Sequence, residues 1–521
     1  MSAVIDSPNG PAPKEFFGHP RGLSTLFMTE MWERFSYYGL RPLLVLFMSA
    51  ALMDGGFGFE RTQASAIVGI YAASVYLASL PGGWIADRLL GLRRAILYGA
   101  VLISAGHISI GLSAFAGGKL TFFLGLILIV LGTGLLKPNI SAIVGDLYPE
   151  GGARRDAGFS IFYMGINTGA FFGQIVTGSL GESFGWHWGF GAAGLGMLIG
   201  LIVFAVRAKS TLGDIGLHPS RNPDPAIQAR QENQVKLAVG AGAVILVLVI
   251  VLAATGVISL DAQVIGSYMT YVLVGLAVLY FAYLFIAGGL VGDEKKRVLV
   301  IAVLFVFAAI FWAAFEQAPT SLNLFARDFT DRDFFGWLIP TTWFQSVNSL
   351  FIIALAPVFA IIWTRFGARG VDISSPVKFA FGLFFAGVGF FVMIFAANIL
   401  VASGGTARVS PWWLVVSYFF QTIGELLLSP VGLSSMTKLS PRRYVGQMMG
   451  VWFLATAVGN LIAGLVGGHV DPEKLEQTPQ LFTATTMALV ISAVVLGLLA
   501  IPIARMMKNV DSSPEAAAND I

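Results

Sequence analysis

The chain contains no cysteine, which excludes disulfides, thiolate metal sites and a cysteine nucleophile. Charge is also scarce: Asp, Glu, Lys and Arg make up 12% of 521 residues, and histidine occurs five times. In their place the sequence carries 56% hydrophobic residues and a mean hydropathy of +0.78. Its repeated apolar runs approach the length that crosses a bilayer, too many for one soluble core to absorb, so the composition implies a polytopic helical membrane protein. The opening MSAVIDSPNGPAPKEFFGHPR is polar and rich in Pro and Gly, without the basic, apolar and small-residue order of a cleavable signal. The formal net charge of +3 says little alone, because placement of charge outweighs its sum in a membrane protein.

Apolar stretches bounded by turn residues and charge clusters predict spans at 22–50, 62–86, 92–115, 120–147, 157–183, 189–207, 236–259, 262–291, 297–318, 335–364, 374–402, 411–437, 444–468 and 480–506. That is about fourteen transmembrane helices, an even number, with both termini on one side. One set of connections holds Arg88, Arg93, Arg94, Arg154, Arg155, Lys295, Lys296, Arg297, Arg442 and Arg443, whereas the opposite set is poor in such residues. By the positive-inside rule the basic set and both ends are expected to be cytoplasmic.

Proline and glycine spacings reveal an internal repeat. LPGGWIADRLLG and APVFAIIWTRFG both place a glycine ten positions after a proline, Pro81 to Gly91 and Pro357 to Gly367. The interval from Pro138 to Pro149 recurs as Pro430 to Pro441, and that from Phe162 to Gly169 as Trp452 to Gly459. All three keep the same order and direction, which predicts two six-helix bundles related by a parallel repeat, with a binding site between them near the midplane. The expected organisation is a cytoplasmic tail (1–21), an N-terminal bundle (22–207), a cytoplasmic linker (208–235), an inserted lipid-facing hairpin (236–291), a C-terminal bundle (292–506) and a second tail (507–521).

With loops and span ends set aside, the ionisable residues left at depth are few: Glu30, Glu33, Arg34, Arg41, His107, Lys137, Glu316 and Glu425. A charge at the bilayer centre costs about 3 kcal/mol on insertion scales, so each requires a partner, a wet cavity or a function. In TEMWERFSYYGLR, positions 30, 33, 34, 37, 38 and 41 fall within an arc of about 140°, so two glutamates, two arginines and two tyrosines share one helix face. Such a ladder lines a cavity, and Gly39 beside it permits a close neighbour. Lys137 precedes Pro138; Trp312 and Glu316 lie one turn apart in FWAAFEQ; Glu425 lies about one turn before Pro430. Asn167 and Asn348 add amides, whose alternative use is interhelical hydrogen bonding. His107, among small residues, reads as a packing residue. The set suits a small zwitterion. Arg34, Arg41 and Lys137 of the first half can hold a carboxylate, and Glu316 and Glu425 of the second an ammonium. An acid alternating between an ion pair and a proton would couple transport to a proton gradient.

These motifs resemble the proton-dependent oligopeptide transporters of the major facilitator superfamily. The family pattern ExxERFxYYG is matched from Glu30 through Glu33, Arg34, Phe35, Tyr37 and Tyr38 to Gly39 without departure. GGWIADRLLGLRR, FYMGINTG, FWAAFEQ, FQSVNSLF and GVWFLATAVGN resemble further family segments, over about 22–506, and the added helix pair is typical of bacterial members. The resemblance implies an all-α major facilitator fold and import of di- and tripeptides with protons, by a monomer in the bacterial inner membrane that uses no cofactor and no metal. It implies that Arg34 and Lys137, with Arg41 nearby, receive the peptide carboxylate, and that Asn167, Asn348 and Glu425 receive the amino end. Tyr37, Tyr38, Tyr76 and Tyr163 would supply hydroxyls, while Trp312, Trp452 and Thr456 shape side-chain pockets. Arg41 with Glu316 looks like an external gate, and Lys137 with the helix-1 glutamates or Glu425 like a second. Asp87 and Arg88, in the loop motif whose Gly82 and Gly83 permit close packing, read as an inward gate or hinge. Animal members carry a histidine on the second span; here it is missing, so protons are expected on Glu33, Glu316 and Glu30.

Three other readings compete. A nitrate or other small-anion carrier could share the scaffold, although Glu316 and Glu425 disfavour it, since an anion needs no carboxylates facing it. A sensor without transport lacks support from any appended soluble domain. An intramembrane enzyme finds no Ser/His dyad, metal-ligand cluster or aspartate pair to use, so no enzymatic activity is expected.

Overall fold

The computed structural model describes residues 16–115, 118–150, 152–220, 223–370 and 373–511; the outer parts of both expected tails lie outside these residues. Thirteen of its helical segments are long and apolar enough to cross a membrane. The fourteenth is α1 (Arg21–Ser49), whose 29 residues span easily but carry the charges of the ExxER stripe. The rest of the first bundle is α2 (Arg61–Ile85), α3 (Leu92–Leu112), α4 (Gly118–Asp146), α5 (Gly152–Phe184) and α6 (Trp186–Leu212). Next come α7 (Pro225–Ala254) and α8 (Ala262–Ile286). The second bundle holds α9 (Gly292–Phe315), a short α10 (Asn323–Phe329), α11 (Trp343–Ala368), α12 (Ser375–Ala402), α13 (Trp412–Leu439), α14 (Val445–Gly467) and α15 (Gln477–Asp511). α1 packs on α5 and α6, and α3 on α4; in the second bundle α12 packs on α13 and α15, and α9 on α14. This is the major facilitator fold, two six-helix bundles plus two further helices.

Close packing of α1 against α5 depends on Gly39. A Cβ there would lie 2.6 Å from Thr177 Cγ2 and 3.1 Å from Gly173 O, and Thr177 Oγ1 donates to Gly39 O at 2.9 Å. The glycine therefore brings α5 within hydrogen-bond range of the helix-1 backbone. In the 82–83 pair only Gly82 serves that purpose, facing the Gly134 carbonyl; a Cβ on Gly83 would meet nothing nearer than Pro138 Cβ at 3.9 Å.

Three expected boundaries shift. The span expected at 335–364 begins at Trp343, because Asp333–Phe334 and Trp337–Leu338 pair as a tiny antiparallel hairpin turning through Gly336 at φ +83°. The span expected to stop at 318 continues through a widened turn, Ala318–Leu322, into α10, since Pro319 sits where its missing N–H is tolerated. The expected linker 208–235 is helical at both ends. Asp224 caps α7 by accepting from Ala226 N at 2.8 Å, with Pro225 in the first turn.

α7 is exposed along its apolar length, as expected for a lipid-facing helix. α8 instead leans on both bundles: Gln263 Nε2 donates to Thr62 O of α2 at 2.6 Å, and a Cβ on Gly266 would lie 3.1 Å from Leu465 of α14 and 3.8 Å from Ile70 of α2.

Candidate functional site

The cavity between the bundles is walled by α1, α2 and α5 on one side and by α9, α11 and α13 on the other. Its empty volume is about 1000 Å³, open space included. Tyr38, Arg41, Tyr76, Tyr163 and Asn167 line it from the first bundle, and Trp312, Glu316, Asn348 and Glu425 from the second. Nine residues chosen from separate stretches of sequence thus meet in one space.

The central contact joins the halves. Arg41 Nη2 donates to Glu316 Oε2 in a buried ion pair and to Asn460 Oδ1 of α14 at 2.8 Å. Glu316 occupies the end of α9, one turn after Trp312, so its carboxylate is presented where the helix widens. Asn460 was not among the residues expected; its amide also donates to Thr456 O at 2.9 Å, so helix geometry holds it in place. Its signal in the sequence is an asparagine in an otherwise apolar span, the same criterion that picked out Asn167 and Asn348.

Across the cavity, Asn348 Nδ2 donates to Thr422 Oγ1 at 2.9 Å and to Glu425 Oε2 at 3.2 Å. Asn167 donates to Tyr163 O of its own helix at 3.0 Å, which leaves its amide oxygen available to the cavity.

Seven expected residues do not line this cavity. Arg34 lies beneath it on α1, its Nε 2.7 Å from Glu30 Oε1 and 3.1 Å from Glu33 Oε2, all three side chains buried. Glu30 Oε2 and both oxygens of Glu33 have no hydrogen-bond partner among the described residues. Tyr37 is turned into packing against Tyr38 and Tyr71, its ring stacked 6.2 Å from that of Tyr71. Lys137 Nζ sits 4.0 Å over the Tyr76 ring, a cation–π contact. Among the described residues no ion pair joins Lys137 to Glu30, Glu33 or Glu425, so its expected gate pair is not formed. Arg34 already engages both helix-1 acids. Trp452 stands behind Trp312, edge to face at 6.5 Å, and Thr456 donates to Trp452 O within its helix.

His107 donates to or accepts from Ser36 through Nε2, while Nδ1 has no hydrogen-bond partner among the described residues; it joins α3 to α1 away from the cavity, in keeping with a packing role. In the loop motif, Arg88 Nη1 donates to Gln231 of α7 at 2.6 Å, and Asp87 takes part through its backbone carbonyl, accepting from Ser220 N at 2.8 Å. Among the described residues no hydrogen bond joins the Asp87 carboxylate to a helix end.

Polar links between the bundles share one side. Besides Arg41–Glu316 they include Arg61 with Asp328, Asn323 with Pro42 O at 2.8 Å, Arg327 with Ser49 at 3.2 Å, Glu182 with Arg332 at 3.0 Å and Thr341 at 2.8 Å, Thr342 with Gln174 O at 2.8 Å, and Trp343 with Ser179 at 3.0 Å. All lie toward the face where α1 meets α2, opposite the arginine-rich connections. Among the described residues no hydrogen bond or ion pair links the two bundles on the arginine-rich side. The polar links among the described residues therefore close one face of the seam.

A two-bundle membrane protein with a polar cavity at the bundle seam, closed at one face, has the architecture of a secondary transporter. The POT family model matches residues 93–211 and 242–481, and the chain belongs to that transporter family. It is 51% identical to the peptide transporter YePEPT of Yersinia enterocolitica, covering 98% of this chain and 99% of that one. It is 37% identical to a di-/tripeptide transporter of Lactococcus lactis, over 95% and 98%. A solved peptide transporter POT in complex with sulfate superposes with a TM-score of 0.85 at 42% identity, over 95% and 97%.

Proposed function

We propose that this protein is a proton-coupled symporter that imports di- and tripeptides by alternating access, working as a monomer in the bacterial inner membrane with both termini cytoplasmic. The family and the names of its relatives support peptide as cargo. The observation that carries the rest is the buried Arg41–Glu316 pair, which closes one face and borders the cavity at once.

In this reading the arginine-rich face is cytoplasmic, and the structure corresponds to the state open inward. The peptide lies across the seam, its ammonium held by Glu425, Asn348 and Asn167. Its carboxylate is drawn toward Arg34, Arg41 and Lys137. Two couplings follow. A peptide carboxylate reaching Arg34 competes with Glu30 and Glu33, and a buried acid that loses its cation is stabilised by a proton. A proton on Glu316 removes the charge that holds Arg41, so the external face is free to part. Tyr38, Tyr76 and Tyr163 supply hydroxyls to the peptide backbone, and Trp312 walls a side-chain pocket. Asp87, Arg88 and the segment packed on them restrain α2 against α3 at the inner face.

The test is uptake of labelled dialanine into proteoliposomes. An inward proton gradient is expected to drive accumulation in the wild type and not in Glu33→Gln. No gradient-driven uptake of any di- or tripeptide would sink the proposal.

A further inference from the structure

Three glutamines on the cavity wall have no place in the reading above. Gln174 of α5, Gln345 of α11 and Gln421 of α13 are 5%, 6% and 1% exposed, and all three line the cavity. Each keeps an amide atom without a hydrogen-bond partner among the described residues: Oε1 of Gln174, Nε2 of Gln345 and Oε1 of Gln421. Burying an amide group without a partner is costly, so three such groups in the wall of one cavity point to a ligand that satisfies them.

Their height in the membrane is fixed by the helices. Gln345 precedes Asn348 and Gln421 precedes Glu425 by about one turn, roughly 5 Å, on helices that begin at the sealed face. α5 runs the opposite way, and Gln174 lies about 10 Å beyond Asn167 toward the same face. Thr342 Oγ1 donates to Gln174 O at 2.8 Å, which locks α5 to the start of α11 at this level. Gln421 Nε2 is held by Ser417 Oγ at 2.9 Å, so its oxygen is the atom left over. The glutamines therefore form an uncharged amide tier about 5–10 Å above Asn167, Asn348 and Glu425.

We infer that this tier is a side-chain subsite that selects peptides whose first residue carries an uncharged hydrogen-bonding side chain, above all a primary amide. The inference rests on the proposed placement of the peptide ammonium at Glu425: the Cα next to that ammonium directs its side chain either up into the amide tier or down toward Ser429. A carboxamide offers both a donor and an acceptor, and so meets Gln345 Nε2 together with Gln174 Oε1 or Gln421 Oε1. A charged side chain meets no counter-ion among these three. An apolar isostere leaves all three amides unpaired, and sites built around hydrogen bonds reject such analogues strongly.

The experiment is competition against labelled dialanine uptake in proteoliposomes, with the isosteric pair Asn-Ala and Leu-Ala and the reversed pair Ala-Asn and Ala-Leu. In the wild type Asn-Ala is expected to compete at least about tenfold better than Leu-Ala. Each of Gln174→Met, Gln345→Met and Gln421→Met is expected to reduce that ratio at least about threefold. A thermal midpoint in detergent reports that each variant is folded, and the three variants are independent of one another. A wild-type ratio near one, or a ratio untouched in every folded variant, overturns the inference. So does selectivity that resides in the reversed pair, since the amides then serve the second residue. Failure of the wild type to take up dialanine or any other peptide strikes the peptide reading itself, a separate outcome.

Discussion

Arg41 of α1 and Glu316 at the end of α9 form a buried ion pair that joins the two bundles, with Asn460 of α14 accepting from the same guanidinium nitrogen. Removing one partner of a buried pair leaves an uncompensated charge, worth about 3–5 kcal/mol in soluble proteins. Glu316→Gln keeps a hydrogen-bond acceptor for Arg41 but cannot change charge. Gradient-driven peptide accumulation is therefore expected to fall at least about tenfold, while exchange of labelled against unlabelled peptide across the same liposomes persists. Loss of both activities together would assign Glu316 to peptide binding instead of coupling.

A second link lies closer to the sealed face. Glu182 of α5 accepts from Arg332 and Thr341 beyond the cavity, and all three are largely buried. Glu182→Gln is expected to loosen that face without touching the cavity. The absence of cysteine makes the test direct: Met53→Cys and Phe335→Cys, at exposed positions on opposite bundles, give a spin-label pair with no background thiol. Their distance distribution is expected to gain a longer component in the Glu182→Gln background; an unchanged distribution refutes the link.

The cation–π contact of Lys137 over Tyr76 separates ring from hydroxyl. Tyr76→Phe retains the ring and removes a cavity-facing hydroxyl, whereas Tyr76→Leu loses both. If Lys137 is positioned by the ring, Tyr76→Leu weakens dialanine binding about threefold to thirtyfold beyond Tyr76→Phe, matching about 0.5–2 kcal/mol for such contacts. Titration calorimetry on the purified protein measures the difference, and equal affinities would remove the ring from the argument.

Packing at Gly39 yields a stability prediction. Gly39→Ala places a methyl 2.6 Å from Thr177 Cγ2, and overpacking of this kind costs about 1–3 kcal/mol. A lowered thermal midpoint in detergent is expected, partly restored by Thr177→Ser, which removes that methyl and keeps the hydroxyl that donates to the Gly39 carbonyl. No recovery in the double variant would place the strain on Gly173 O instead.

Much of this was legible beforehand because a charge inside a membrane is rare enough to be conspicuous. Arg41 and Glu316 stood out singly, and the family resemblance paired them across 275 residues of sequence. Asn460 was missed, since one amide in an apolar span does not name its partner. The glutamines were missed for a related reason: glutamine is a common interhelical glue, and only topology brings α5, α11 and α13 to one level. The ladder on α1 was read as one cavity wall, yet the cavity takes only Tyr38 and Arg41 from it. Helical phase gives a shared face but not which part of that face a neighbour covers, and Tyr71 covers Tyr37. The start of α11 was misplaced because Trp337 and Leu338 are as apolar as a span, although Gly336 and Pro340 mark the turn.

An internal repeat of two similar bundles creates two equivalent flanks, one where α2 meets α14 and one where α5 meets α11. α8 lies over the first and touches both of its helices, whereas among the described residues neither α7 nor α8 makes a comparable contact with the second. The bilayer therefore meets the molecule unequally. Lateral pressure, bilayer thickness and intruding acyl chains act directly on the α5–α11 flank, where Thr342 and Trp343 hold the bundles together, while α8 shields the other flank from the same forces.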